Sequence, residues 1–494
     1  MEYALGIIVY FVIVILVGLY AKRKIRNAED YLVAGRSLSL PLNSATLTAA
    51  FFGGVIIVGV PGVAFDLGIW NDDASWGLIA GIGGPVLCLI LAGTFFMPRV
   101  WRMKLYSIAD FFFVRFGTST GVLATVMLCS SFLLYGAVQV VVFAKVGAAI
   151  MGWEATTATL IGVSVICLYT VLGGLWAVCL TDILQVSVMV LCVIGVLWFV
   201  IDFMGGWEAA MAPVPAEKLQ FFPEKAGAAP WLAWIAAWLA SGFGSIPSPD
   251  LMQRAFSAKS AQTARRSAYM AAFILLVVGC MVSVLGLVGQ ELVQNGTIPQ
   301  ESLTDSEMII PVIVKTLMPA GIVSVFLGAI LAAVMSTGAS CLLALSSMMF
   351  QNVLKRVFFP NSPDKTMVAV TRLTVVVMCL LVTIIALKFP YAYILSVFAF
   401  DLTLSTLFVP FVLGFFWKGS NNIGATCGII GGAVTRILGA GILNGFSLEG
   451  VTASSENWYV FTLLGPVVSL ACMVAGSLLT RKQDPPKQLI EGAC

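Results

Sequence analysis

The stretch Ala49-Ala-Phe-Phe-Gly53-Gly54-Val-Ile-Ile-Val-Gly59-Val-Pro61-Gly62 is apolar enough for lipid, yet it carries four glycines and a proline in fourteen residues. A helix in lipid satisfies its backbone within itself, so a crossing this rich in Gly and Pro must place some carbonyls and amides on other partners. The same character returns in Ser241-Gly-Phe-Gly-Ser-Ile-Pro247-Ser-Pro249-Asp250, where two prolines stand close before an acid. Both stretches read as interrupted membrane helices. Interruptions at matching places in two halves of a chain point to a binding site at the bilayer midplane. The alternative is that the glycines only let helices pack closely, a common use of Gly in membranes.

Around these stretches the chain of 494 residues is 60% hydrophobic and 10% charged, with a mean hydropathy of +1.01. Soluble domains carry roughly 25% charged residues. Apolar runs of about 20 residues, enough to cross about 30 Å of hydrocarbon, follow one another from end to end. They predict helices at about 3–21, 41–66, 75–98, 118–150, 155–176, 178–204, 231–257, 267–290, 319–350, 366–387, 391–417, 421–444 and 457–480. The expectation is an all-α membrane protein with about thirteen transmembrane helices, a single transmembrane domain over residues 1–494. The interrupted crossings are the second and the seventh of these. Their separation implies two five-helix repeats of opposite topology, about 41–204 and 231–417, with one leading and two trailing helices.

Basic residues set the expected orientation. Arg36, Arg99, Arg102, Lys104, Arg115, Arg254, Lys355, Arg372, Lys418 and Arg481 fall on one side under this parsing, and Lys218, Lys225, Lys315 and Lys388 on the other. The positive-inside rule then puts the amino terminus outside and the carboxyl terminus in the cytoplasm, with the protein multi-pass in the plasma (inner) membrane. The first apolar run has Lys22, Arg23 and Lys24 after it rather than basic residues before it, so it is expected to be a retained helix. The amphipathic stretch Met308 to Met318 is expected to lie flat at the interface.

Several function classes are disfavoured. The net charge of +3 is scattered between apolar runs, which argues against nucleic acid. Ten of the eleven cysteines sit within apolar stretches and read as small buried thiols. The chain has no histidine, and so lacks the commonest metal ligand and the usual general base near neutral pH. An enzyme is not expected.

The ninth predicted helix contains Leu331-Ala-Ala333-Val-Met-Ser336-Thr337-Gly-Ala-Ser340. Sodium is a hard cation that takes oxygen ligands, and within a bilayer these are hydroxyls and the carbonyls freed where a helix unwinds. Ser336 and Thr337 supply the first kind, and Ala49 and Phe52 the second. Equally, membrane hydroxyls often bond back to their own helix. Three acids lie within apolar segments, Asp182, Asp250 and Asp401, and such residues mark ion or substrate paths by default. For Asp250 an ion pair with Arg254, four residues on, is the structural alternative. For Asp182 that alternative is an N-terminal helix cap.

The stretches Tyr169-Thr-Val-Leu-Gly-Gly-Leu-Trp-Ala-Val-Cys-Leu-Thr-Asp-Ile-Leu-Gln185, Pro249-Asp-Leu-Met-Gln-Arg-Ala-Phe-Ser-Ala-Lys259 and Ala332-Ala-Val-Met-Ser-Thr337 resemble the sodium:solute symporter family. The resemblance implies a LeuT-like inverted-repeat core with one extra leading helix, working by alternating access. Carried over by motif, it implies a sodium site at Ala49, Phe52, Ala333, Ser336 and Thr337, and places Asp182 on the inner sodium-release path. Lys418-Gly-Ser-Asn-Asn-Ile-Gly-Ala is similar to the choline-transporting branch, whose caging tryptophans match Phe51 and Ser248 here. Gly59-Val-Pro61-Gly62 is similar to the proline-transporting branch.

The expected function is a sodium-coupled symporter that imports a small organic solute, either a quaternary amine or an amino acid. The solute contacts expected are Phe51, Gly53, Gly54, Ser248 and Asp250, with Tyr135 and Gln139 from the fourth helix. The alternatives are proton coupling in the same fold, a carboxylate or sugar as solute, and an uncoupled channel or sensor.

Overall fold

The computed structural model describes residues 28–72, 76–303, 305–355, 364–439 and 458–487, with 12, 13, 16, 17, 20, 441 and 442 besides. The leading helix expected at about 3–21 lies mostly outside the described residues. The first interrupted stretch folds as α1 (Leu40–Phe52) and α2 (Val55–Leu67), bent by 53°. At Gly53 the backbone leaves the helix, with φ −47° and ψ −162°. A side chain at Gly53 would crowd its neighbours: an added Cβ would stand 2.5 Å from Gln139 Oε1 and 3.0 Å from Thr337 Cγ2. Beyond the break Val55–Gly59 winds as a wider π turn, a form that recurs at functional sites. Pro61, which has no N–H to donate, sits where the regular helix resumes.

Next come α3 (Ile79–Arg102), the short α4 (Ile108–Arg115), α5 (Thr118–Met151) and α6 (Ala155–Phe203). Ser107 and Asp110 close a reciprocal cap at the start of α4. A straight helix would separate residues twelve apart by about 18 Å. In α6, however, the Tyr169 hydroxyl lies 2.7 Å from Thr181 Oγ1, a gap two such side chains cannot span. The axis of α6 therefore bends between them, within one continuous helix that covers both stretches predicted as separate helices.

The second interrupted stretch folds as α7 (Ala228–Gly244) and α8 (Pro249–Ser257), bent by 43°. Ser245 to Ser248 turn tightly between them, the Ser248 N–H bonding the Ser245 carbonyl at 3.1 Å. Pro249 opens α8, where a missing N–H costs nothing. Thereafter run α9 (Ala261–Gln294), α10 (Ile309–Leu317), α11 (Ala320–Leu354), α12 (Asp364–Lys388), α13 (Ala392–Phe416), α14 (Asn422–Ala433) and α15 (Trp458–Leu479).

Among the described residues eight helices are long and apolar enough to cross a membrane, and the two bent pairs make ten. Residues Phe326 through Met348 of α11 are all buried. A helix covered on every side belongs at the centre of its protein. It packs against α5 and α6, while α1 packs against α6 and α9, and α14 pairs with α15.

One expectation is corrected. The stretch around α10 was expected to rest its apolar face on lipid, but Ile309 to Val314 are all buried, and α10 packs against α2, α9 and α11. Its apolar face is covered by protein rather than by lipid.

Candidate functional site

The end of α1 supplies carbonyls that its own helix no longer uses. Thr337 Oγ1 of α11 stands 3.1 Å from the Ala49 carbonyl oxygen and 3.0 Å from that of Ala333. Three oxygens from two helices thus meet at one point, and Phe52 ends α1 beside them, buried. Ser336, one residue earlier, faces another way. Its hydroxyl donates to Asp182 Oδ1, and Thr46 donates to Asp182 Oδ2. The Arg254 guanidinium lies 4.0 Å from the same carboxylate. A charge this deeply buried needs such partners. The donor set is entirely oxygen, carbonyl, hydroxyl and carboxylate, which is the chemistry a hard cation takes.

A second feature adjoins the break. A small cavity is lined by Phe51, Val55, Tyr135, Ser241, Ser396 and Phe400 among others. It holds about 10 Å³, room for about one water. Helix α5 grips the break from both sides: Tyr135 donates to the Ala50 carbonyl at 2.8 Å, and Gln139 Oε1 accepts the Gly54 N–H at 3.0 Å. Gln139 is fully buried, and its Nε2 has no partner.

The structure therefore brings together Phe51 and Tyr135 on the cavity wall, and Gly53, Gly54 and Gln139 at the break. Ser248 and Asp250 are buried at the second break, but the cavity takes its wall on that side from Ser241. Asp250 and Arg254 are not a side-chain ion pair. Asp250 Oδ1 accepts the Leu251 N–H at 2.7 Å, and Arg254 donates to the Asp250 backbone oxygen at 3.2 Å while its charge faces Asp182.

Sequence reasoning passed over Thr46, Ser241, Ser396 and Phe400. Thr46 lies one turn before Ala49, so helical spacing around a flagged residue was the available signal for it; Ser396 and Phe400 lie on a helix from which no site residue was taken. It also left Asp401 without a partner. Arg436 donates to the Asp401 carboxylate, with side-chain exposures of 1% and 0%.

At one end of the bundle, Lys145 of α5 pairs with Asp305 and Glu307. Glu307 Oε1 also accepts the Tyr393 N–H of α13 at 2.9 Å, and Ser306 donates to Asp66 Oδ2 at 2.5 Å. Gly62 lets this loop close onto α2, since an added Cβ would stand 2.8 Å from Glu307 Cα. The connection 205–230 ties down the same end, through Ile69 N–H to the Lys218 carbonyl at 2.8 Å and Lys225 N–H to Asp72 at 2.8 Å.

Two interrupted helices meeting a buried hydroxyl-bearing helix, in an all-α chain made for lipid, define a membrane transporter with a LeuT-like fold. The sodium:solute symporter family model matches residues 31–432. The chain belongs to that family.

Among its relatives, the human high affinity choline transporter 1 is 29% identical over 461 residues, covering 89% of this chain and 77% of the relative. The osmoregulated proline transporter of Bacillus subtilis is 27% identical, covering 88% of each chain. The sodium/proline symporter of Salmonella typhimurium is also 27% identical, covering 94% of this chain and 93% of its own. In solved structures the fold matches a Na+-coupled sialic acid symporter in a substrate-bound outward-open state, with a TM-score of 0.81, 20% identity and 99% of each chain covered. These relatives are transporters, and the protein is an integral membrane transporter rather than an enzyme.

Proposed function

We propose that the protein imports a small organic solute, a quaternary amine or an amino acid, together with sodium, by alternating access between repeats spanning about 41–204 and 231–417. The observation that carries this reading is the meeting of the Thr337 hydroxyl with the Ala49 and Ala333 carbonyls. Sodium takes those oxygens, with the Phe52 carbonyl, once the Thr337 proton turns away, and the Ser336 hydroxyl joins them by giving up its hydrogen bond to Asp182. The ion then ties α1 to α11 more tightly than their hydrogen bond does, and holds the α1–α2 break in the form that receives solute. Coupling follows because both ligands favour one arrangement. Asp182 takes the departing ion on the side where Arg115 lies.

By the basic-residue count, the Glu307 end is extracellular and the Arg115 end cytoplasmic, with the amino terminus outside, in the plasma (inner) membrane. Phe51, Gly53, Gly54, Tyr135 and Gln139 contact the solute from the first break, and Ser248 and Asp250 from the second.

The test is uptake into proteoliposomes under an inward sodium gradient at equal pH on both sides, and then under a pH gradient without sodium. Accumulation only in the first condition supports the proposal. Accumulation only in the second establishes proton coupling, and equilibration without accumulation in either establishes an uncoupled pathway.

A further inference from the structure

The cavity beside the first break holds information about the solute's chemistry. Its three hydroxyls are already engaged: Ser241 donates to the Ala80 carbonyl at 2.5 Å, Ser396 to that of Tyr393 at 2.7 Å, and Tyr135 to that of Ala50 at 2.8 Å. What the wall offers a guest is apolar surface, with the rings of Phe51, Tyr135 and Phe400 set among aliphatic groups such as Val55, Ile56 and Val397. The Tyr135 and Phe400 rings have centroids 5.1 Å apart. Such a wall leaves the hydroxyls of a sugar unsatisfied, but it suits an alkylated ammonium, which carries charge with few N–H groups and is attracted to ring faces.

The opposite polarity is available one turn away. Because Gln139 Oε1 accepts the Gly54 N–H, the group left over must be its NH2 donor, which is fully buried and without a partner. A buried donor is costly unless something accepts from it. Gln139 lies one turn along α5 from Tyr135 of the cavity wall, on the same helix face, and its unpartnered donor calls for an oxygen acceptor.

Charge supplies a third observation. Asp182, Asp250 and Arg254 are buried together, and their formal charges leave one negative charge, which one sodium ion offsets. A net-neutral solute keeps that balance, whereas a cation adds an unpaired charge in a low-dielectric interior.

Resting on the symport reading above, we infer that the solute is a small zwitterion: an alkylated ammonium held against Phe51, Tyr135 and Phe400, with a carboxylate accepting from Gln139 Nε2. Admitting it requires the closed wall to part, which the bent and separable halves α1 and α2 allow.

The experiment compares trimethylglycine, choline and glucose in proteoliposomes containing the full chain under an inward sodium gradient. Trimethylglycine is expected to be accumulated, choline to compete about tenfold or more weakly because it lacks the carboxylate, and glucose not to compete. Gln139→Leu is expected to raise the KM for trimethylglycine about tenfold or more with less effect on kcat. Since that variant can fail by misfolding, Gln139→Glu gives a second reading. It keeps an acceptor for the Gly54 N–H but sets a negative charge where the carboxylate binds, so preference should shift from trimethylglycine toward choline. A purely structural Gln139 predicts no such shift.

The inference is overturned if wild type prefers choline, if none of the three probes is taken up, or if Gln139→Glu leaves the preference unchanged. Trimethylglycine uptake that ignores sodium would instead sink the coupling proposal and leave the solute assignment standing.

Discussion

Replacing Thr337 by valine keeps the shape of the side chain and removes only the hydroxyl that stands 3.1 Å from Ala49 O and 3.0 Å from Ala333 O. Thr337 is 3% exposed, so no solvent replaces the lost oxygen. Without ion, the Ala49 carbonyl loses its partner across the α1–α11 contact, a cost of about 1–3 kcal/mol for a buried acceptor. With ion, sodium loses one ligand, and an interaction of a charged group with such an oxygen is worth about 1.5–3 kcal/mol. The loss without ion offsets much of the loss with it, leaving a net of about 0.7–1.4 kcal/mol, and at about 1.4 kcal/mol per factor of ten the half-saturating sodium concentration should rise roughly 3- to 10-fold. The assay is a sodium titration of solute uptake, paired with the sodium-dependent rise in Tm of the purified protein, which reads ion binding without transport. Thr337→Ser retains the hydroxyl and should stay near wild type. A folded Thr337→Val protein whose half-saturating sodium lies within about twofold of wild type would refute the ion assignment.

Lys145→Met should loosen the end closed by Asp305 and Glu307. Because these side chains are 14%, 33% and 10% exposed, the loss is set at about 1–3 kcal/mol, below that of a fully buried pair, and hydrogen exchange across 305–317 should quicken; unchanged exchange counts against the latch. Arg436→Met leaves Asp401 buried and uncompensated and should cost about 3–5 kcal/mol, whereas adding Asp401→Leu should restore most of the thermal stability; equal Tm values for the single and double variants would contradict this. Burial raises the Asp72 carboxyl, but the Lys225 N–H, the Trp70 indole, the Glu224 N–H and the Lys225 charge together bring it below its ordinary 3.8. A depressed carboxyl stabilises the fold above its ordinary range, and that contribution is lost as pH falls through the depressed value. Connection 205–230 should therefore stay protected from acid proteases at pH 4 and above and become susceptible only below about 3.8; release at near-neutral pH would refute the clamp.

Much of this molecule is decided by local chemistry along the chain. Runs of about 20 apolar residues have no stable place except lipid, and in lipid the backbone must be satisfied, so Gly53, Gly54, Pro247 and Pro249 announce both breaks without any knowledge of neighbours. Packing and interruption turn out not to be rival explanations. Gly53 ends the helix and also admits Gln139 and Thr337. Ser336 and Thr337 were singled out as hydroxyls in an apolar helix, but adjacent residues point in different directions around it. Only the assembled bundle turns Thr337 to Ala49 and Ser336 to Asp182.

Three assignments needed the tertiary structure for the same reason. Arg254 is four residues from Asp250, yet its charge faces Asp182; Asp401 finds Arg436 on another helix; and the amphipathic α10 finds α2, α9 and α11 rather than a lipid surface. Hydropathy reports that a helix face is apolar, not whether lipid or protein covers it, because in a membrane the two are equally apolar. The composition and the two broken stretches thus determine the class of protein and point to the candidate site. Which oxygens, charges and rings meet there is settled by contacts between residues as far apart in sequence as Ala49 and Thr337, which no local pattern encodes.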